Sequence, residues 1–514
     1  MAACTPFVQN GFSISPLGRN SIFGALGAAA ALSGKVMVFI ELNGGNDGLN
    51  TLVPLDQYGK LANHRGSLLI PANKVLALSG TDTTGLHPAM THFREMYDNG
   101  LVSIVQNVGY PQQDYSHFRS MDIWQTASDS SQFFDTGWLG RMLQDEHPGF
   151  PQGYPNPDNP DPLAIQIGSI VPVAFMGNSF PMGMSISSPD SFYEFINDYV
   201  EPAPATPYGD ELEYIRLVQQ QSQQYYSAIK DAAEKQPANL STKYPPEYEN
   251  YLADQLRIVA RLIGGGLGTP VYMVSIGGFD THSMQIDQPG APEEGLHANL
   301  LRMLSEAVNA FQDDLRLMGK DDDVAGMTFS EFGRTIRANA SMGTDHGAAA
   351  PLFVFGKNVN PGIIGSNPNI PQHLAGPGDV PMSHDFRQVY ASVLQDWFGI
   401  PDPSGVLFGD YPILPIFKGT TPARELANSN TSGIGNYPNP VHDTTTITFT
   451  SLGNARITVS LLDTQGRPVA KIAEGNYPAG SHQVRFNRGS LPSGAYFYQV
   501  NINGIGVTKK MLLL

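Results

Sequence analysis

The chain of 514 residues carries a single cysteine, Cys4, so neither an intrachain disulfide nor a cysteine metal cluster holds it together. Basic residues are also scarce, with 30 Lys and Arg against 47 Asp and Glu and a formal charge of −17. Non-specific nucleic-acid binding works by neutralising phosphates with basic patches, so no nucleic-acid partner is expected. No apolar run reaches the roughly 18–20 residues that span a bilayer, so no transmembrane segment is expected either. Charged residues make up only 15% of the chain and hydrophobic ones 41%, the balance of a folded protein with a substantial core. The 54 glycines and 40 prolines imply many ordered turns. The longest apolar stretch, Ile22–Gly34, follows Arg19 and has the form of a signal-peptide core. The alternative is a short Ala-rich helix packed on the domain. Residues 1–34 are therefore read as a signal-like or mobile segment.

Strand-like and helix-like patterns alternate through the first four hundred or so residues. VMVFIEL from Val36, LVSIVQNVG (Leu101–Gly109), LAIQIG, PVAFMG (Pro172–Gly177), VYMVSIGG from Val271, VAGMTFSEF and PLFVFG read as strands. Helices are expected at Pro88–Gly100, Ser116–Ala127, within Asp210–Leu262, at Gly295–Gly319 and at Phe386–Gly399. Such alternation predicts an α/β fold, a parallel-rich sheet with helices on both faces, over residues 35–418. Residues 419–435 lack periodicity and read as a linker. Short strands separated by Gly, Pro and Asn turns then predict a small all-β sandwich over residues 436–514.

Four polar clusters end hydrophobic runs of the larger domain. They hold Asp47 in NGGNDG, Ser116 and His117 in DYSHFRSMDIW, Asp280 and His282 in GGFDTH, and Glu331 in SEFGR with Asp345 and His346 in GTDHG. Open α/β sheets place their sites at the carboxyl ends of strands, where such residues would converge. Carboxylates and imidazoles together can hold divalent metal ions. Asp280 and His282 lie two apart, which in an extended segment points both side chains to one side. Ser116 at a helix N-terminus is a candidate nucleophile, with a plain N-cap as the alternative. Arg119 could clamp a phosphate or sulfate oxygen, or serve as an ordinary ion-pair partner. His297, on a helix, reads as a packing or capping residue, and Arg334 and His384 as supports behind the site. The combination points to a metal-assisted hydrolase.

The strings NGGNDGLNTLVP, GLHPAM, SHFRSMDIWQT, GWLGR, GGFDTH, SEFGR and DHGAAAPLFVFG closely resemble the sulfatase-like domain of unknown function 1501, in the alkaline phosphatase superfamily. The resemblance runs from about Lys35 to Phe398 and implies an alkaline phosphatase-like fold. It places Asp47 at the superfamily's first ligand aspartate, Ser116 at its nucleophile and His346 at its last histidine ligand. One departure stands out. Where phosphatases of the superfamily have an Asp-His pair, this chain has Glu331 and Phe332, which removes a nitrogen ligand. That favours an oxygen-rich site for calcium, magnesium or manganese over a full two-zinc centre. On this reading Asp280, His282 and His346 hold one ion, while Asp47 and Glu331, with Ser116 or His117, approach a second. Asp345 orients His346 or is itself a ligand.

NYPNPV from Asn436, LLDTQGRPV, LPSGAYFYQV and KKMLLL are similar to a type A sorting domain of the type IX secretion system. That implies export to the surface or medium of a Bacteroidetes-type bacterium, with the type IX machinery as a partner. An accessory carbohydrate-binding sandwich is the alternative. Two functional readings follow. The first is a secreted metal-dependent hydrolase of phosphate or sulfate esters, acting on a small anionic ester or a sulfated or phosphorylated glycan. The second is a non-catalytic surface protein that binds a glycan or an envelope partner.

Overall fold

A computed structural model describes residues 34–188, 224–288 and 291–418, then 435–437, 439–451, 455–463, 467–478, 480–502 and 505–513, and a strand pair at Val8–Gln9 and Phe12–Ser13. The apolar signal-like run from Ile22 to Ser33, the start of the helical pattern at Asp210 and the linker 419–434 lie outside the described residues. The chain divides into two compact units, Met1–Phe417 and Lys418–Leu514.

The larger unit is built on a nine-stranded mixed sheet. Its strands include β1 (Val36–Asn43), β2 (Val102–Gly109), β3 (Ala164–Ile167), β4 (Met184–Ile186), β5 (Val271–Gly277) and β6 (Val324–Phe329). A two-stranded ribbon, β7 (Gly333–Ala338) and β8 (Thr344–Gly347), stands apart from it, and β9 (Ala350–Phe355) and β10 (Gly362–Ile364) rejoin it. The order is β10-β2-β9-β6-β1-β5-β3-β4, with a ninth strand of two residues, His384–Asp385, beside β2. β9 runs antiparallel to both its neighbours, while β6, β1, β5, β3 and β4 pair in parallel.

Alternation along β1 shows why this run becomes a central strand. Val38, Ile40 and Leu42 enter one core, and Met37 and Phe39 enter the other. The first core is closed by α2 (Thr91–Asp98), α5 (Tyr251–Gly264) and α6 (Leu296–Leu317). Leu300, Met303, Leu304, Ala307 and Phe311, an apolar stripe along α6, all pack there. The second is closed by α3 (His117–Thr126), α4 (Trp138–Glu146) and α7 (Phe386–Ser392). The fold is thus the α/β sheet with helices on both faces that the alternating pattern implied.

Register sets up the site. Val36 aligns with Val324, and Met37 with Val271, so β1 and β5 end level at Asn43 and Gly277 while β6 ends beside Glu41, at Phe329. The clusters around Asp47, Asp280 and Glu331 therefore leave the sheet at one edge. β2 runs the same way as β6, since both oppose β9, and it delivers the turn into α3 to that edge.

Three local expectations differ from the structure. Pro172–Gly177 is not a strand but holds a 3-10 turn, Val173–Phe175, which Pro172 precedes. The run from Phe386 is helical to Ser392 and then widens into a π turn, Val393–Trp397. The ribbon after SEFGR had no counterpart in the sequence reading. Its strands are short, and its polar residues reveal no alternation.

The smaller unit has a three-stranded and a four-stranded antiparallel sheet. Ile447, Phe449, Val459, Leu461, Tyr498, Val500 and Met511 from the two sheets share one core, so the unit buries its own apolar faces.

Candidate metal centre and active site

The turn after β1 has to be tight before anything else can approach. Gly44 (φ +122) and Gly45 (φ +82) lie in the left-handed region, and a Cβ on them would collide with the Asp280 amide and the Phe332 ring respectively. The two glycines thus let three loops meet at the sheet edge. Arg334, fully buried, fastens them. Its guanidinium donates to the carbonyls of Gly44, Gly45, Phe279 and Thr344, and to Asp280 Oδ1 at 2.8 Å. Burial raises the Asp280 pKa, but the hydrogen bond and charge of Arg334 outweigh it, so the carboxyl stays below its ordinary value.

Three imidazoles face this carboxylate. Nε2 of His117 lies 3.5 Å from Asp280 Oδ2, and Nε2 of His282 and His346 lie 3.5 and 3.7 Å from Oδ1. Each ring is held from behind through Nδ1. His117 Nδ1 is 2.8 Å from Glu331, His282 Nδ1 is 3.2 Å from Asp345, and His346 Nδ1 is 2.6 Å from the Tyr115 carbonyl. A carbonyl only accepts, and a carboxylate accepts when ionised, so each Nδ1 carries a proton and, in the neutral ring, each Nε2 presents a lone pair. This is how metal-ligating histidines are oriented in proteins. His346 Nε2 is also buried with no hydrogen-bond partner, which is uncommon for a polar atom without an unseen ligand. Ligand atoms of His117, Asp280 and His346 lie within 4.8 Å of one another, so these residues can hold a metal ion. His282, nearly half exposed, flanks them on the open side.

The remaining sequence candidates take other positions. Glu331, 1% exposed, accepts from the Gly44 amide as well as His117, so it stands behind the His117 ring and does not face Asp280. Asp345 does the same for His282, not for His346, and Asn339 holds its pKa below the ordinary value. Phe332 packs its ring against His346 and His117, at 4.4 and 4.9 Å between centroids. Ser116 is the N-cap of α3, with its hydroxyl accepting from the Arg119 amide at 3.5 Å, between the Tyr115 carbonyl and His117. Arg119 is turned away from the site. Its guanidinium pairs with Asp122, donates to the carbonyls of Asp129, Ser130 and Gln132, and lies over the Phe133 ring.

Asp47 departs most from the ligand set read in the sequence. It is fully buried, and both its oxygens bind Arg65 at 2.8 and 2.9 Å, with Gln285 at 2.6 Å. Burial opposes ionisation, yet Arg65 and His297 keep its pKa below the usual value. Arg65, from α1 (Tyr58–Arg65), also donates to the Ile336 and Thr335 carbonyls and so ties this ion pair to β7. With its lone pairs taken by an arginine and an amide, Asp47 supports the glycine turn instead of facing the imidazoles. Arg65 and Gln285 had no mark in the sequence, because their partners lie 18 and 238 residues away. Near this pair His297 packs against His87 and hydrogen-bonds Asn46, in keeping with a packing role. His384, on a two-residue strand beside β2, bonds the Gln106 carbonyl.

Comparison with known proteins gives the chain its family. Residues 34–408 match the family described as protein of unknown function (DUF1501), and residues 436–513 match the secretion system C-terminal sorting domain. The chain belongs to the DUF1501 family. Its sorting domain marks it for type IX secretion, to the medium or the cell surface of a Bacteroidetes-type bacterium. No helix among the described residues is long and apolar enough to cross a membrane. Solved structures that the chain is similar to include a protein of the alkaline phosphatase superfamily from Vibrio parahaemolyticus, 10% identical, covering 82% of this chain and 76% of that one with a TM-score of 0.33. The PsFucS1 sulfatase from Pseudoalteromonas sp. is 9% identical, with 90% and 87% covered and a TM-score of 0.33. The phosphonate monoester hydrolase SpPMH from Silicibacter pomeroyi is 11% identical, with 93% and 88% covered and a TM-score of 0.31. No curated protein matches the chain.

Proposed function

We propose that this DUF1501 protein is an exported metal-dependent hydrolase of phosphate or sulfate esters, with one divalent ion held by His117, Asp280 and His346. The observation that carries the reading is the fixing of three imidazoles through Nδ1 so that their free Nε2 atoms face Asp280. Three protein ligands with an open position are the usual pattern of catalytic zinc sites. A donor set dominated by imidazole suits zinc or a similar transition ion, not calcium or magnesium, which take oxygen ligands. The oxygen-rich preference drawn from the Glu331–Phe332 departure gives way here, because His117 adds a nitrogen from α3.

A divalent ion in this place would supply Lewis acidity to a phosphoryl or sulfuryl oxygen and favour an ionised nucleophile nearby. The chain's own residues do the rest. Ser116, the N-cap of α3 beside backbone N–H groups that favour anions, is the proposed nucleophile. His282, anchored by Asp345 and open to solvent, takes the proton of the attacking hydroxyl on Nε2 and passes it to the leaving oxygen. Arg334 keeps Asp280 ionised and aimed. The purified protein is expected to hydrolyse 4-nitrophenyl phosphate or sulfate and to stop when a chelator is added. Ser116→Ala should lower turnover by orders of magnitude without changing metal content. Unchanged turnover in that variant would assign attack to water. Failure of the metal-loaded protein on both esters would instead favour the non-catalytic binding protein.

A further inference from the structure

We propose that the ester taken by this site carries an uncharged aromatic or apolar alcohol, seated in the cleft beside His117 and Asp280, and is not a polysulfated or polyphosphorylated glycan. This rests on the hydrolase reading above and narrows its substrate. The cleft has a volume of about 620 Å³ and opens directly on both residues. Phe118, the neighbour of His117 on the first turn of α3, stands 90% exposed at its rim. Met121, one turn further on, and Val173, from the 3-10 turn, add apolar wall, with Ile170 77% exposed on the approach to that turn. A large ring left in water next to the candidate metal ligands is a platform for a flat or apolar group.

The charges point the same way. No lysine or arginine is among the described residues that line the cleft. Two arginines next to lining residues are engaged elsewhere, Arg119 on Asp122 and three carbonyls, Arg334 fully buried behind Asp280. The carboxylates lining the cleft are Asp122, already paired, and Asp280. One anionic group fits at a bound cation. Further sulfates in this cleft would meet no lysine or arginine among its described lining residues, on a chain of formal charge −17. In the reaction the P–O or S–O bond to the alcohol oxygen breaks and a bond to the oxygen of water replaces it. The proton released by that water ends on the alcohol.

The test compares 2-phenylethyl phosphate and sulfate with the ethyl esters, whose leaving alcohols are of similar reactivity, on metal-loaded full-length protein and on Phe118→Ala. Because Phe118 is exposed, the variant is expected to fold. kcat/KM should favour the phenylethyl ester, and Phe118→Ala should shrink that preference about tenfold. Phenylphosphonate, which is not an ester, gives a second arm by calorimetry and should bind about tenfold more weakly to the variant. Phenylphosphonate binding that depends on Phe118, with no ester turned over, would remove the hydrolase reading and leave the cleft assignment standing. A polysulfated oligosaccharide used more efficiently than the phenylethyl ester would overturn the proposal. Equal losses on phenylethyl and ethyl esters in Phe118→Ala would do the same.

Discussion

Replacing Glu331 with glutamine should separate a ligand from the residue that orients one. Glu331 Oε1 accepts from the Gly44 amide and from His117 Nδ1, both at 2.8 Å. A glutamine oxygen can accept both bonds. Its new NH2 group would face Ser330 Oγ, now 3.2 Å from Oε2, a hydroxyl that donates to the Leu42 carbonyl at 2.7 Å and keeps lone pairs to accept. Geometry should therefore survive, and what disappears is the negative charge behind His117. Loss of such an outer partner typically lowers metal affinity about 10–100-fold, or about 1.4–2.7 kcal/mol. Competition of Glu331→Gln against a chromophoric chelator reads the affinity, and elemental analysis reads the stoichiometry. The expected result is weaker binding with one ion per chain retained. A fall from two ions to one, with the survivor bound as tightly as before, would make Glu331 a ligand and refute the reasoning.

Asp47→Asn should destabilise the larger unit by about 3–5 kcal/mol in urea unfolding, because it leaves the Arg65 charge buried and unpaired; folded Asp47→Asn should still bind metal. Burial, reinforced by His297, pushes His87 down to about 3, and burial pushes His297 down to about 4 against the opposing pull of Asp47. Both rings are therefore neutral in the fold at pH values where the unfolded chain protonates them. Their contribution is complete above about pH 6.5 and is lost as pH falls toward about 4, at up to about 1.4 kcal/mol per pH unit for each. Urea midpoints that stay level between pH 7.5 and 5.5 would contradict this. Removing Lys418–Leu514 should leave the fold and any ester hydrolysis of the larger unit intact, since each unit has its own core, while the truncated protein stays in the producing cell. Efficient secretion of that truncation would refute a sorting role.

What the sequence disclosed follows from how local each signal is. The strands β1, β5 and β6 were visible because a strand buried on both faces is an unbroken apolar run, and the polar residues just past them mark one edge of a parallel sheet. Asp280, His282 and His346 could be picked out for that reason, and the structure sets them against one another. His117 was weighed as an alternative ligand, but its partner Glu331 is 214 residues away, and nothing in SEFGR says that its carboxylate points backward. Phe332 looked like the loss of a ligand, whereas its ring supports two of the imidazoles. Asp47 and Arg119 were misleading for a shared reason: a polar residue at a strand or helix end serves a ligand or an internal ion pair equally well. Only the position of a distant or loop partner decides between the two.

Elemental analysis of the purified full-length chain tests the metal centre most directly. One divalent transition ion per chain is expected, and it should be lost in His346→Ala, whose ring brings the orphaned Nε2. Two ions per chain, or one ion that persists in His346→Ala, would contradict a centre built on His117, Asp280 and His346.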